Sequence, residues 1–285
     1  EKIRLFALLR DFRRQLETVL FNDALESVAA LDSAAALARW AAEQPRGDFG
    51  AFLEIADDLA LEQLGRGLDR FMSYGNYPQA ESQFLRGGVW DGRLHALDTQ
   101  AIAEDISHAW LDGETRHPAR GMTRPQDEKA EGYTWCKAPR LAGLPMETGA
   151  LARQVVNGHP LARDLVALGG GNVKSRVVAR LLEIAVVLPE MEQWVQQLVP
   201  GEPFCTQGEM PAEATGAGLV EAARGSLGHW ITVEGGRIAN YQIVSPTTWN
   251  FSPRDGEGTP GPLEQALVGT PVGEGNVAVQ HVVRS

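Results

Sequence analysis

The run Val173-Lys174-Ser175-Arg176-Val177-Val178-Ala179-Arg180-Leu181-Leu182-Glu183-Ile184-Ala185-Val186-Val187-Leu188 opens the longest helix the sequence predicts, over about Val173–Leu198. Its most apolar part, Val177 to Leu188, is interrupted by Arg180 and Glu183, so it is too short and too charged to cross a bilayer. Pro189 lacks an N–H and crowds the preceding turn, which predicts a kink or a break there. Upstream, Gly169-Gly170-Gly171-Asn172 is the densest glycine run. A phosphate-cradling loop needs a preceding strand and the Gly-x4-Gly-Lys spacing, and neither is present, so a helix–helix turn is the better reading.

Working outward, Ile3, Phe6, Leu9, Phe12, Leu16 and Leu20 fall at helical spacing and predict an amphipathic helix over 2–31, broken near Phe21-Asn22-Asp23. Asp32-Ser33 caps an alanine-rich helix over Ala34–Glu43, and a short helix over Phe52–Leu64 ends at Gly65-Arg66-Gly67. Residues 72–100 read as loops with short strands, Ile102–Leu111 as a helix, and 113–132 as a polar surface loop. Helices follow over Gly149–Val156 and Pro160–Leu168. Toward the end, His229–Val233 and Arg237–Val244 flank Glu234-Gly235-Gly236, the pattern of a β-hairpin, and a short helix covers Leu263–Leu267. The expected fold is mainly α with a small β-hairpin element near the C-terminus, as a single domain over 1–285.

The composition is that of a globular protein with a sizeable core, at 44% hydrophobic and 22% charged residues. A net charge of −11 with no compensating Lys/Arg run argues against nucleic-acid partners. Cys136 and Cys205 are too far apart for a disulfide framework or a metal-ligand pair, which suits a reducing, cytoplasmic compartment. Glu104 and His108, four apart on the expected helix, could share a metal, but no second such pair accompanies them, and a helix-surface pair is the simpler reading. Cys136, among Tyr133-Thr134-Trp135, reads as a buried inert thiol. By themselves Arg224 and Thr247 read as a turn arginine and a loop threonine. Composition and spacing stop short of function.

Several segments together go further: Tyr133-Thr134-Trp135-Cys136-Lys137-Ala138-Pro139-Arg140, Pro145-Met146-Glu147-Thr148-Gly149-Ala150-Leu151-Ala152-Arg153, and Glu221-Ala222-Ala223-Arg224-Gly225 with His229-Trp230. Next come Ile243-Val244-Ser245-Pro246-Thr247-Thr248-Trp249-Asn250, Ser252-Pro253-Arg254-Asp255, and Gly261-Pro262-Leu263-Glu264-Gln265-Ala266-Leu267-Val268-Gly269-Thr270-Pro271. In this order they resemble the middle to C-terminal part of nickel–iron hydrogenase large subunits, closest in style to the H2-sensing and cytoplasmic uptake branch. The resemblance implies the hydrogenase large-subunit fold and the reaction H2 ⇌ 2H⁺ + 2e⁻, or H2 sensing, in a complete heterodimer. It also implies a Ni-Fe(CN)2CO centre, a Mg²⁺ ion, an iron–sulfur small subunit and hydrogenase maturation proteins as partners. The location implied is cytoplasmic, with membrane-peripheral attachment through partners allowed.

By the same resemblance Arg224 is the catalytic arginine beside the metals, although Ala223 stands where the family commonly has proline. Thr247 is the cofactor-binding hydroxyl that donates to an iron cyanide, and Ile243 offers a backbone carbonyl to magnesium. The family holds nickel and iron with a Cys-x-x-Cys toward the N-terminus and an Asp-Pro-Cys-x-x-Cys toward the C-terminus, and neither is in this sequence. The chain is therefore expected to carry no nickel or iron ligands, to bind no metal and be inactive as given, and to be a large-subunit fragment incomplete at both ends. The alternatives are a non-catalytic, large-subunit-like scaffold for assembling the metal centre, and a helical interaction domain with no metal role.

Overall fold

The computed structural model describes residues 1–43, 47–79, 81–203, 205 and 207–285. Helix α1 (Lys2–Gln15) runs into a π-turn (Leu16–Leu20), breaks at residues 21–24 and resumes as α2 (Leu25–Ala29). The break falls where the sequence places it. The apolar stripe ahead of it is only partly used, since Ile3 is 85% and Phe12 50% exposed and α1 buries no residue fully. Helix α3 (Ala34–Glu43) has the expected bounds, and Ser33 Oγ accepts from the Ala36 N–H at 3.2 Å. Helix α4 (Asp48–Asp58) starts earlier than the sequence suggests and ends before a separate 3-10 turn (Leu61–Gln63).

Strands β1 (Phe71–Ser73), β2 (Asn76–Gln79), β3 (Ser82–Leu85), β4 (Gly88–Trp90) and β5 (Leu94–His95) are the short strands expected within 72–100. They form a three-stranded antiparallel sheet, β1-β4-β5, and a β2-β3 hairpin. The helix expected over Ile102–Leu111 is not there. Instead β6 (Ile102–Asp105) pairs antiparallel with β9 (Ala138–Leu141), and between them β7 (Leu111–Asp112), at the end of the expected helix, pairs with β8 (Arg124–Pro125), which lies in the expected surface loop. A distant partner strand, invisible in the local periodicity, decides that segment.

Helix α5 (Ala150–Asn157) is buried from Ala150 to Val156. It leads to α6 (Pro160–Gly169) and α7 (Val173–Gln197). The glycine run is the helix–helix turn the sequence suggests, closed by a capping box. Asn172 Oδ1 accepts from the Ser175 N–H at 2.9 Å, and Ser175 Oγ accepts from the Asn172 N–H at 2.8 Å. Helix α7 then continues through Pro189 without the break. Its inner face (Val178, Leu182, Ala185, Leu188) packs with Phe21, Leu25, Phe49 and Leu53 in the main helical core.

The hairpin of the sequence is two-thirds of a sheet. Strands β11 (Gly225–Glu234) and β12 (Arg237–Val244) are joined by β10 (Ala214–Ala222), in the order β10-β11-β12. Small residues in Ala214–Gly218 had hidden the third strand. Helix α8 (Pro246–Asn250) follows, and its Trp249 is fully buried with Trp230 and Val244 of the sheet. Helices α9 (Pro262–Leu267) and α10 (Val277–Arg284) pack together, α10 being a helix the sequence reading lacked. With helices at 42% and strands at 22% of the chain, the fold is more mixed than mainly α with one hairpin. No helix is long and apolar enough to cross a membrane among the described residues.

Removing the α7 cap tests the start of this central helix. Asn172→Ala should cost about 1–2 kcal/mol in urea unfolding, with no change in the residues that pack on Leu182.

Candidate functional site

Glu147-Thr148-Gly149 links most of the elements around the site. The Glu147 N–H donates to Arg70 O and Glu147 O accepts from the Met72 N–H, both at 2.9 Å, laying the segment alongside β1. The Glu147 carboxylate takes Arg176 of α7 side-on, with Nε at 2.7 Å and Nη2 at 3.0 Å. Asn250, at the end of α8, pairs its side-chain amide with the Thr148 backbone in both directions at 2.9 Å. Thr247 is thereby carried to this segment from α8, with Trp249 as the buried anchor.

Arg224 arrives by another route. It lies in the two-residue turn Ala223-Arg224 between β10 and β11, where Ala222 faces Gly225. Gly225 has φ +130°, and a Cβ there would stand 2.7 Å from Gly149 N and 2.8 Å from Thr148 Cβ, so only glycine lets the turn seat on that segment. From beneath, Arg153 of α5 bonds the carbonyls of Ala222 at 2.9 Å and Ala223 at 3.2 Å. The same guanidinium pairs with Glu183 of α7 at 2.6 Å and Glu221 of β10 at 3.1 Å. Burial pushes the Glu221 carboxyl above the usual carboxylate range, while donors from Ser226 Oγ, Tyr74 N–H and Arg153 pull it back.

Arg224 and Thr247 line one cleft of about 440 Å³, with Thr148, Arg180, Phe251 and Arg284 among its other walls. Arg224 is exposed and makes no hydrogen bond or ion pair among the described residues. Burial, then the neighbouring Arg176, holds Arg180 below the ordinary arginine range, and its Nη2 donates to the Ser285 carbonyl. Thr148 Oγ1 is buried on the cleft wall with no hydrogen-bond partner among the described residues. The cleft thus presents cations and unpaired hydroxyl oxygen, which suits a polar or anionic guest.

A nickel–iron centre needs thiolates, and neither cysteine of this chain lines the cleft. The donor set of the cleft does not fit as ligands for such a centre. Among the described residues no three His, Cys, Asp or Glu side chains gather to hold a metal ion. Ile243 lies apart from the cleft, on the exposed face of the edge strand β12.

The remaining sequence candidates are structural. Glu104 is on β6, not on a helix, and is buried against Lys137 Nζ at 3.0 Å. His108 lies away from it, with Nδ1 3.1 Å from Arg254 O. Arg140 is buried and reaches Asp255 at 2.8 Å, Ser252 Oγ at 3.2 Å and the carbonyls of Pro253 and Thr259. That explains why Ala138-Pro139-Arg140 and Ser252-Pro253-Arg254-Asp255 occur together. Cys136 is half-buried, and its thiol is pushed up to about 11 by burial and then by Glu104, as an inert thiol requires. Missed from the sequence were the part of Asn250 as a backbone clamp, Thr148 as an orphaned hydroxyl, and Arg180, which had counted only as a charge in an apolar run.

The chain belongs to the nickel-dependent hydrogenase family, whose model matches residues 48–285. It is 32% identical over 251 residues to the periplasmic [NiFeSe] hydrogenase large subunit of Desulfomicrobium baculatum, covering 79% of this chain and 49% of that protein. With the uptake hydrogenase large subunit of Rhodobacter capsulatus it shares 34% over 256 residues, covering 70% and 43%. In structure it resembles the reduced, active form of the Ni-Fe-Se hydrogenase from D. baculatum, with TM-score 0.72 and 29% identity over 89% of this chain and 59% of that one. The chain spans about half the length of the relatives it matches. These relatives include periplasmic, uptake and hydrogenase-1 proteins, so they do not single out the H2-sensing and cytoplasmic branch.

Gly225→Ala should lower stability by about 1–3 kcal/mol in urea unfolding, because the new methyl meets backbone and φ is positive. At pH 8, iodoacetamide should modify Cys205 at least roughly tenfold faster than Cys136 in the folded chain. The Cys136 shift is upward from 9.0, so the folded state favours the neutral thiol. Between pH 9 and about 11 the unfolded chain ionises first, and its contribution to stability should fall across that window.

Proposed function

We propose that this chain contributes one wall of the reaction cleft in a hydrogenase large subunit that oxidises H2 reversibly, H2 ⇌ 2H⁺ + 2e⁻. The observation that carries the reading is convergence: Arg224 from a β-turn and Thr247 from α8 meet on one cleft, where the acid on the wall, Glu147, is taken by Arg176 and Arg224 has no ion-pair partner among the described residues. In the family a thiolate-held nickel–iron pair supplies the redox chemistry, and its ligands are not among these residues. What this chain supplies is a guanidinium and a hydroxyl on one cleft, which stabilise negative charge that develops between them. Arg224 is the catalytic candidate and Thr247 the cofactor-binding one. A magnesium contact through the Ile243 carbonyl, an iron–sulfur small subunit and maturation proteins as partners, and a cytoplasmic site of action belong to the same proposal. Placement in the H2-sensing or uptake branch rests on the style of the quoted motifs alone.

The scaffold alternative draws on the absence of thiolate from the cleft, and one experiment separates the two. In the full-length protein with its partner subunit, Arg224→Lys should leave metal content and melting temperature nearly unchanged. Hydrogen oxidation should fall by roughly two to three orders of magnitude, about 3–4 kcal/mol in the barrier, because a flexible ammonium cannot hold the place of a planar fork. Near-normal turnover at full metal loading removes Arg224 from the catalytic role. A full-length protein without turnover or bound nickel favours the scaffold.

A further inference from the structure

We propose that Arg153 is the positioning residue for Arg224: it holds the Ala223-Arg224 turn from below and so sets where the Arg224 guanidinium stands in the cleft. The inference rests on the reading that Arg224 acts in H2 oxidation. Nothing on the Arg224 side chain fixes it, because it is exposed and unpartnered among the described residues. Its place is therefore decided by its backbone. Of the two groups that grip that backbone, Gly225 seats the turn against Thr148-Gly149, and Arg153 takes the carbonyls of Ala222 and Ala223.

Arg153 itself does not line the cleft, and its side chain is only 4% exposed. All its N–H donors have assignments. Nε bonds Glu183, Nη1 bonds Glu221 and Ala222 O, and Nη2 bonds Glu183 and Ala223 O. The arrangement uses the whole planar fork. Glu183 lies on α7, two turns beyond Arg176, which clamps Glu147, so the turn is referred to the same helix that fixes the opposite wall. Burial disfavours the Arg153 charge, yet Glu183 and Glu221 outweigh it and hold its pKa above the ordinary arginine range. A lysine here keeps the positive charge between the two carboxylates. From a single nitrogen it cannot also reach both carbonyls, so Arg153→Lys separates geometry from charge.

The test uses the full-length protein with its partner subunit. In Arg153→Lys, amide exchange in a peptide spanning 221–226 should rise at least tenfold, with α7 unchanged. The kcat for H2 should drop roughly ten- to a hundredfold at unchanged KM and metal content, the scale of a misplaced catalytic group. Leu53→Ala, which opens a cavity in the helical core away from the turn, serves as the stability control. It should lower the melting temperature and leave kcat intact. If Arg153→Lys does not fold, Arg153→Lys with Glu183→Gln, which removes the surplus carboxylate, is measured with the same expectations. Failure of both to fold overturns the proposal, since Arg153 is then a folding residue. Unchanged turn exchange, or equal kcat loss in Leu53→Ala, also overturns it. Arg224→Lys in the same preparation separates the two levels. Normal turnover there sinks the hydrogenase-site reading, whereas a crippled Arg224→Lys beside a normal, loosened Arg153→Lys sinks only the positioning role.

Discussion

The buried guanidinium of Arg153, between a buried carboxylate, Glu221, and a partly buried one, Glu183, joins the helical half of the chain to its sheet. Desolvating three charges is expensive, and removing one partner of such a set typically costs about 3–5 kcal/mol because the others are left uncompensated. An apolar replacement could equal its stability. It could not specify which carbonyls the side chain meets, and those carbonyls form the turn from which Arg224 projects. The interaction therefore matters more for register than for net stability.

The same device recurs wherever distant segments meet. Arg176 and Glu147 fasten α7 to the segment beside β1, Arg140 and Asp255 fasten β9 to the chain after α8, and Lys137 and Glu104 close the β6-β9 pair. Each pairs a cation from one quoted motif or helix with an acid more than twenty residues away, and backbone carbonyls or side-chain amides take up the remaining donors. Surface pairs such as Arg14–Asp11 are a different class, worth little. The buried ones explain why the motifs of the family come as a set: Ser252–Asp255 exists to receive Arg140, and Asn250 to receive the Thr148 backbone.

That wiring also delivers two residues of different origin to one cleft. Thr247 depends on Trp249 and Asn250, and Arg224 on Gly225 and Arg153. Both chains of support end on Glu147-Thr148-Gly149, so the cleft is built around a backbone segment rather than around either candidate side chain. The helical core of α2, α4, α6 and α7 stands behind it as a rigid base.

The sequence alone determined the elements whose cause is local: α3 with its Ser33 cap, the Gly169–Asn172 turn with its capping box, the Phe21 break and the β11-β12 turn. It also carried the family, through motifs in order, and through them Arg224 and Thr247. Its errors share a physical cause. Ile102–Leu111 has helical periodicity, but β9 offers backbone partners from more than thirty residues away, and Lys137 takes the Glu104 that the helical reading had put on a helix surface with His108. The third strand β10 was masked by glycine and alanine, whose pairing with β11 outweighs weak intrinsic preference. Helix α7 tolerates Pro189 because tertiary packing of Leu182, Ala185 and Leu188 outweighs one lost backbone bond. Only the tertiary structure decided that Arg224 stands in a cleft with Thr247, unpaired among the described residues, while Ile243 does not line it, because that depends on ion pairs between residues no local window contains together.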